Sequence, residues 1–203
     1  MHRPVKNIIF DLGGVLMDWN PRYLYRKIFE DTEEMEWFLA NVCTSEWNEQ
    51  QDAGRPFKEA TSLLIEQFPK YKSEITAFDE RWEETIKGSF EETVSVLETL
   101  DEEKKYKIFA LTNWSGEKFP LVKNKYTFYD RFLDILVSGD EKLIKPNLEI
   151  FYLAIERFDI NPASTLFIDD NLANIEAAKK VGFQVVHFKQ ASDITDFFNK
   201  LKD

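Results

Sequence analysis

Four short stretches of this chain place side chains with chemical potential at the edge of an apolar run or of a helical pattern. Asp11 closes Ile8-Ile9-Phe10 and is followed by Leu12-Gly13-Gly14-Val15. A carboxylate beside two glycines can meet a ligand closely, because the backbone there has no side chains in the way. An Asp before a Gly-Gly bend also suits plain turn chemistry. Leu111-Thr112-Asn113 offers a hydroxyl and an amide, groups that hydrogen-bond phosphate oxygens or cap the next helix. Lys145-Pro146 precedes a helical pattern, and a lysine at a helix start is an anion site reinforced by free N–H groups. Last, Phe167-Ile168 runs into Asp169-Asp170-Asn171. Adjacent carboxylates after a buried strand are costly unless a positive charge lies between them and Asp11. Mg2+ meets that need with oxygen ligands and retained waters. Asp170 or Asn171 also suits capping a helix from Leu172.

The elements that must carry these residues are legible as patterns. Val5–Phe10, Lys107–Leu111, Asp134–Val137, Thr165–Ile168 and Gln184–Phe188 are short apolar runs of the kind that form buried parallel strands. Helical spacing appears over Leu148–Phe158 and over Ala173–Val181, which stops at Gly182. Strand and helix in alternation predict a doubly wound α/β sheet with right-handed crossovers, in which ligands bind beyond the carboxyl ends of the strands. Between the first and second strands the chain is far longer than one crossover needs. That stretch shows no convincing strand and reads as helical at Arg22–Glu30, Thr32–Val42, Phe57–Phe68 and Glu74–Ile86, with a turn at Asp52–Pro56. The expected organisation is a core of residues 1–17 and 88–203 with a helical cap over 18–87. Asp193–Leu201 reads as a closing amphipathic helix with Ile194, Phe197, Phe198 and Leu201 inward.

Composition narrows the possible partners. The 203 residues are 43% hydrophobic with 18 phenylalanines and 5 tryptophans, material for a real core and against disorder. A net charge of −11 without a basic cluster argues against nucleic acid and leaves a small phosphorylated metabolite as partner, given a cation in the pocket. One cysteine, Cys43, excludes an internal disulfide and a thiolate zinc site. The start of the chain lacks a secretory pattern, and no run of about 18 apolar residues is present to span a bilayer. A cytoplasmic protein that does not enter membranes is the expectation.

Taken in order, Asp…Thr-Asn…Lys-Pro…Asp-Asp resembles the four motifs of the haloacid dehalogenase (HAD) superfamily, over nearly the whole chain. The branch that looks most similar reads Phe-Asp-Leu-Gly-(Gly/Asn)-Val and Asp-Asp-Asn-x-x-Asn, here Phe10–Val15 and Asp169–Asn174. Bacterial sugar-phosphate phosphatases, including one acting on glucose 1-phosphate, look like this. The resemblance implies a Rossmannoid core with a five-stranded parallel sheet and an inserted all-helical cap in the first (C1) position. It implies a Mg2+-dependent phosphohydrolase in which Asp11 forms an aspartyl-phosphate that water hydrolyses. Asp11, the carbonyl of Gly13 and Asp170 would hold the metal, with Asp169 as a further metal-side carboxylate. Thr112, Asn113 and Lys145 would bind and neutralise the phosphoryl group.

One departure stands out. Many members carry a second Asp two residues after the nucleophile as general acid and base, and this chain has Gly13 there. Such catalysis is worth about 100- to 10,000-fold. Asp18 is a candidate substitute, as an ordinary exposed loop residue is its alternative; cap residues or a good leaving group are others. Trp114 follows Asn113 and is a candidate to stack on a sugar, as are Trp19 and Trp47 near the expected cap mouth. Glu46, Trp47 and the Asp52–Arg55 stretch fall where specificity residues are expected. His187 reads as structural, and His2 is isolated from it. Two other readings share the motif set: metal-free 2-haloacid dehalogenation, and a phosphate- or metal-binding protein without turnover.

Overall fold

The computed structural model of the chain describes residues 4–201. Its elements in order are β1 (Asn7–Phe10), β2 (Met17–Trp19), α1 (Arg22–Tyr25), α2 (Thr32–Asn41), α3 (Ser45–Asp52), α4 (Phe57–Gln67), α5 (Lys72–Glu80) and β3 (Ile86–Ser89). Then follow α6 (Glu91–Glu102), β4 (Lys107–Thr112), α7 (Phe119–Lys123), β5 (Ile135–Val137), α8 (Ser138–Glu141), α9 (Leu148–Phe158), β6 (Thr165–Asp169), α10 (Leu172–Val181), β7 (Gln184–His187) and α11 (Ala191–Lys200). Short 3-10 turns punctuate them.

The five expected strands form one sheet in the order β5-β4-β1-β6-β7, all pairs parallel. The α/β fold with a five-stranded parallel sheet is therefore present. β1 is central and buried along its length. Alternation along it sorts the core: Ile8 and Phe10 join one apolar cluster, Ile9 the other. The second cluster packs the sheet against α9 and α10 through Phe151, Phe158 and Ala178. The first packs the opposite face and runs on without a break into the inserted helices, taking in Leu24, Tyr25, Phe38, Phe57 and Phe78.

Five features differ from the sequence reading. The stretch between β1 and β4 does contain strands: β2 and β3 pair antiparallel, Met17 opposite Ser89 and Asp18 opposite Gly88, at the entry and exit of the inserted helices. Each is too short to show a period on its own, and only pairing across the insertion defines it. The helix expected over Glu74–Ile86 stops at Glu80, and a 3-10 turn over Trp82–Thr85 leads into β3. The one expected over Arg22–Glu30 is a single helical stretch ending at Tyr25. Helix α3 lies just before the expected turn, in a stretch to which no element was assigned, its Thr44 N-cap accepting from the Trp47 N–H at 3.1 Å. In α11, Ile194 is fully buried and Phe197 and Phe198 pack on the core, but Leu201 is exposed. His2 lies outside the described residues.

Candidate active site

The strand order places β1 between β4 and β6, so the chain's path reverses beside β1, where an open α/β sheet forms a crevice. Asp11 stands there. Its backbone N–H still donates to the Ile168 carbonyl at 2.8 Å, so Asp11 continues the β1–β6 pairing by one residue and faces the end of β6. β6 closes on Asp169, fully buried, with Asp170 next. The carboxylates of Asp11, Asp169 and Asp170 each bring an oxygen within 4.8 Å of the others.

Lys145 comes from the loop before α9 and does not point outward from the helix start. It is 2% exposed, and its ammonium donates to Asp169 Oδ2 at 2.7 Å and to the Leu111 carbonyl at 2.9 Å and lies 2.9 Å from Asp11 Oδ1. All three of its donors are engaged. Asn113 holds the lysine in place: its side-chain amide donates to the Lys145 carbonyl and accepts from the Lys145 N–H, both at 2.9 Å. Asp169 is fixed as firmly, accepting also from Asn174 Nδ2 at 3.0 Å and from the Asn171 N–H at 2.8 Å. Thr112 is fully buried at the end of β4, and its hydroxyl has no partner among the described residues.

Electrostatics follow from burial. Burial raises the Asp11 carboxyl; Lys145 opposes this and Asp169 and Asp170 add to it, leaving Asp11 at about 7. Asp170 is raised for the same first reason, with Asp169 contributing. Burial alone would lower Lys145, but the carboxylates of Asp11 and Asp169 outweigh it and hold the ammonium charged. Three carboxylates facing one lysine leave the cluster short of positive charge. An all-oxygen donor set with that deficit fits a hard divalent cation. Gly14 belongs to the same fit: its φ is +76°, and a Cβ there would collide with the Asp170 carboxylate.

A cavity of about 310 Å3 opens over the cluster, lined by Asp11, Gly13, Asn113, Lys145 and Asp170 from the sheet rim. Trp19, Asn48, Asp52, Trp82 and Trp114 form its other walls. Its size suits a small ligand. Trp114 is largely buried against Trp82, ring centroids 5.8 Å apart. Asp18 sits on β2 and is not among the lining residues; its carboxylate accepts from the Tyr23 hydroxyl at 2.8 Å. Trp47 packs on Phe78 in the inserted core, and Arg55 binds Gln51 and the Trp47 carbonyl. His187 meets the Asp170 carbonyl through Nε2 at 3.0 Å. Asn48, Trp82, Ser115 and Asn174 were not singled out by the sequence. Of these only Asn174 carried a signal, as the last position of the Asp-Asp-Asn-x-x-Asn pattern.

Comparison with known proteins agrees with this architecture. Residues 5–182 match the haloacid dehalogenase-like hydrolase family. The phosphorylated carbohydrates phosphatase of Thermotoga maritima is 28% identical, over 89% of this chain and 83% of its own. The sesquiterpene phosphatase astK of Aspergillus oryzae is 30% identical, over 90% of this chain and 89% of its own. In fold the chain is similar to a HAD family enzyme of Bacteroides thetaiotaomicron solved as a magnesium complex, with TM-score 0.76, 22% identity and coverage of 97% and 99%. The chain belongs to the haloacid dehalogenase-like hydrolases.

Proposed function

We propose that this hydrolase cleaves the phosphomonoester of a small phosphorylated metabolite, a sugar phosphate being the leading class, with Asp11 as nucleophile and Mg2+ as cofactor. The observation that carries the reading is the meeting of Asp11, Asp169 and Asp170 with buried Lys145 at the floor of one cavity. Asp11, the Gly13 carbonyl and Asp170 are the residues to hold the ion. Asp169, already accepting from Lys145, Asn171 and Asn174, stands behind them as the further carboxylate. The ion supplies positive charge for the phosphoryl oxygens and keeps Asp11 ionised at neutral pH.

This chain's own groups do the rest. Asp11 attacks phosphorus in line; the leaving group departs, and water hydrolyses the aspartyl-phosphate. A carboxylate is a weak nucleophile, so its fixed position and the neighbouring positive charge must lower the barrier. Lys145 meets charge that develops on the phosphoryl oxygens while remaining tethered to Asp169. The free Thr112 hydroxyl supplies another donor, and Asn113 keeps Lys145 placed. Trp114 offers an apolar wall for the rest of the substrate. Two relatives support the class: one is a phosphorylated carbohydrates phosphatase, and another, from Bacteroides thetaiotaomicron, is a D-ribitol-5-phosphate phosphatase.

Metal-free dehalogenation uses the same nucleophile, but it would leave the acidic surplus at Asp169 and Asp170 without a purpose. Steady-state hydrolysis of p-nitrophenyl phosphate, with Mg2+ and with a chelator, separates the readings. Turnover that requires Mg2+ is expected. Release of halide from a 2-haloacid without metal would replace the phosphatase reading, and tight phosphate-analogue binding without turnover would make the protein a binder.

A further inference from the structure

On the phosphatase reading, a proton must reach the leaving oxygen, and the sheet rim has nothing left to give it. Position 13 is glycine, and the space where a Cβ would stand there holds no atom within 4 Å. Four titratable side chains line the cavity: Asp11, Asp52, Lys145 and Asp170. Asp11 is the nucleophile, Asp170 is assigned to the ion, and the Lys145 ammonium has each of its protons engaged. Asp52 remains. We propose that Asp52, at the end of α3, is the general acid that protonates the leaving oxygen and the base that later activates water.

The structure holds Asp52 over the cavity by its own backbone. Its carbonyl accepts from Ser138 Oγ at 2.6 Å, and the same hydroxyl accepts from the Trp114 N–H at 2.9 Å. The next turn is pressed against the core: Gly54 has φ +95°, and a Cβ there would come within 2.8 Å of the Gly139 carbonyl. Asn48, one turn earlier on α3, donates to Asp52 Oδ2 at 3.2 Å and fixes the carboxyl's orientation. The inserted helices thus deliver one acid to the mouth of a site built by the sheet.

Its surroundings suit a proton carrier. Burial, then Glu49 on the same helix, raise Asp52 to about 7, and the Ser115 N–H opposes this. Of the charged groups on the segments that follow its partners Ser115 and Ser138, Lys118 is paired with Asp79, Glu117 accepts from the Phe57 N–H, Lys142 lies against Gly54 and Asp140 against Gly116. Among the described residues none of these cations is ion-paired to Asp52. In the first step an Asp11 carboxylate oxygen bonds to phosphorus as the phosphorus–oxygen bond to the leaving group breaks; that bond's electron pair stays on the leaving oxygen, and the Asp52 proton is transferred there. In the second, water adds to phosphorus, its proton passes to the Asp52 carboxylate, and the bond to Asp11 breaks to return a carboxylate.

The test is the leaving-group dependence of Asp52→Asn, measured with phenyl phosphate and p-nitrophenyl phosphate. Phenolate needs a proton as it leaves and p-nitrophenolate does not. The phenyl ester should lose on the order of 100-fold or more in kcat/KM, the nitro ester a much smaller factor. Because the readout is a ratio on one preparation, partial unfolding cancels. For the wild type, kcat/KM on phenyl phosphate should fall as pH rises through about 7, and Asp52→Asn should lack that limb. Adding Gly13→Asp, where a side chain has room, should restore phenyl ester turnover to the variant. Equal losses on the two esters, or none on either, would overturn the assignment. A wild type inactive on both esters sinks the phosphatase reading itself, whatever Asp52 does.

Discussion

The floor of the cavity and the apolar core of the inserted helices are both deeply buried, yet opposite interactions hold them. At the floor, Asp11, Lys145 and Asp169 are charged groups out of water, each held by direct polar contacts from residues distant in the chain. In the insertion the work falls to rings: Phe38 lies 4.9 Å from Tyr25, 5.2 Å from Phe29 and 5.3 Å from Tyr71, centroid to centroid. Such pairs add about 0.5–1.5 kcal/mol beyond area burial and do not respond to pH. A buried ion cluster offers little net stability, because desolvation offsets attraction, but removing Lys145, which both Asp11 and Asp169 share, would leave buried carboxylates without a counter-ion. On the proposed function, the floor carries the chemistry, and the aromatic core of the insertion supports the helix that brings Asp52 to the cavity.

Three changes test that contrast, from the largest effect down. Asp11→Asn should abolish turnover while leaving circular dichroism and unfolding midpoint near the wild type. Retained activity would remove Asp11 as nucleophile and, with it, the functional half of the contrast. Lys145→Met should cost about 3–5 kcal/mol in urea unfolding without metal at neutral pH, since two buried carboxylates lose their counter-ion. The sign with pH is fixed by direction. Lys145 is raised on folding, so its contribution is full below the ordinary lysine range and is lost as pH rises through its folded value. In Lys145→Met the deficit should instead shrink toward acid pH, as the Asp11 carboxyl, raised by burial, protonates. A pH-independent loss would make Lys145 a packing residue. Phe78→Ala, in the insertion, should cost about 3 kcal/mol at any pH from cavity formation. It should also lower a single unfolding transition, because one apolar cluster joins the inserted helices to the sheet. Two separate transitions would show that the insertion stands alone.

The sheet strands were legible because buried parallel strands are uninterrupted apolar runs, and β1, β4 and β6 are buried along nearly their whole lengths. Asp11 and Asp169 were legible because each sits where such a run ends, and Lys145 because it stands just before a helix pattern begins. β2 and β3 were not, since a strand of three or four residues has meaning only opposite its partner. α3 was hidden because its sequence, Ser-Glu-Trp-Asn-Glu-Gln-Gln-Asp, is too polar to show an inward face.

Residue types and their order along the chain determined which acids and which lysine this protein could bring to a strand end. They did so because hydrophobic period and chain punctuation are local properties. Tertiary structure alone decided that Lys145 turns inward to bridge Asp11 and Asp169, that Asn113 is its clamp, and that Asp18 is engaged by Tyr23 while Asp52 reaches the cavity. Apart from the local Asp18–Tyr23 bond, those outcomes depend on contacts between segments tens of residues apart, and no local pattern encodes which of two carboxylates will meet a cavity that the rest of the chain must first enclose.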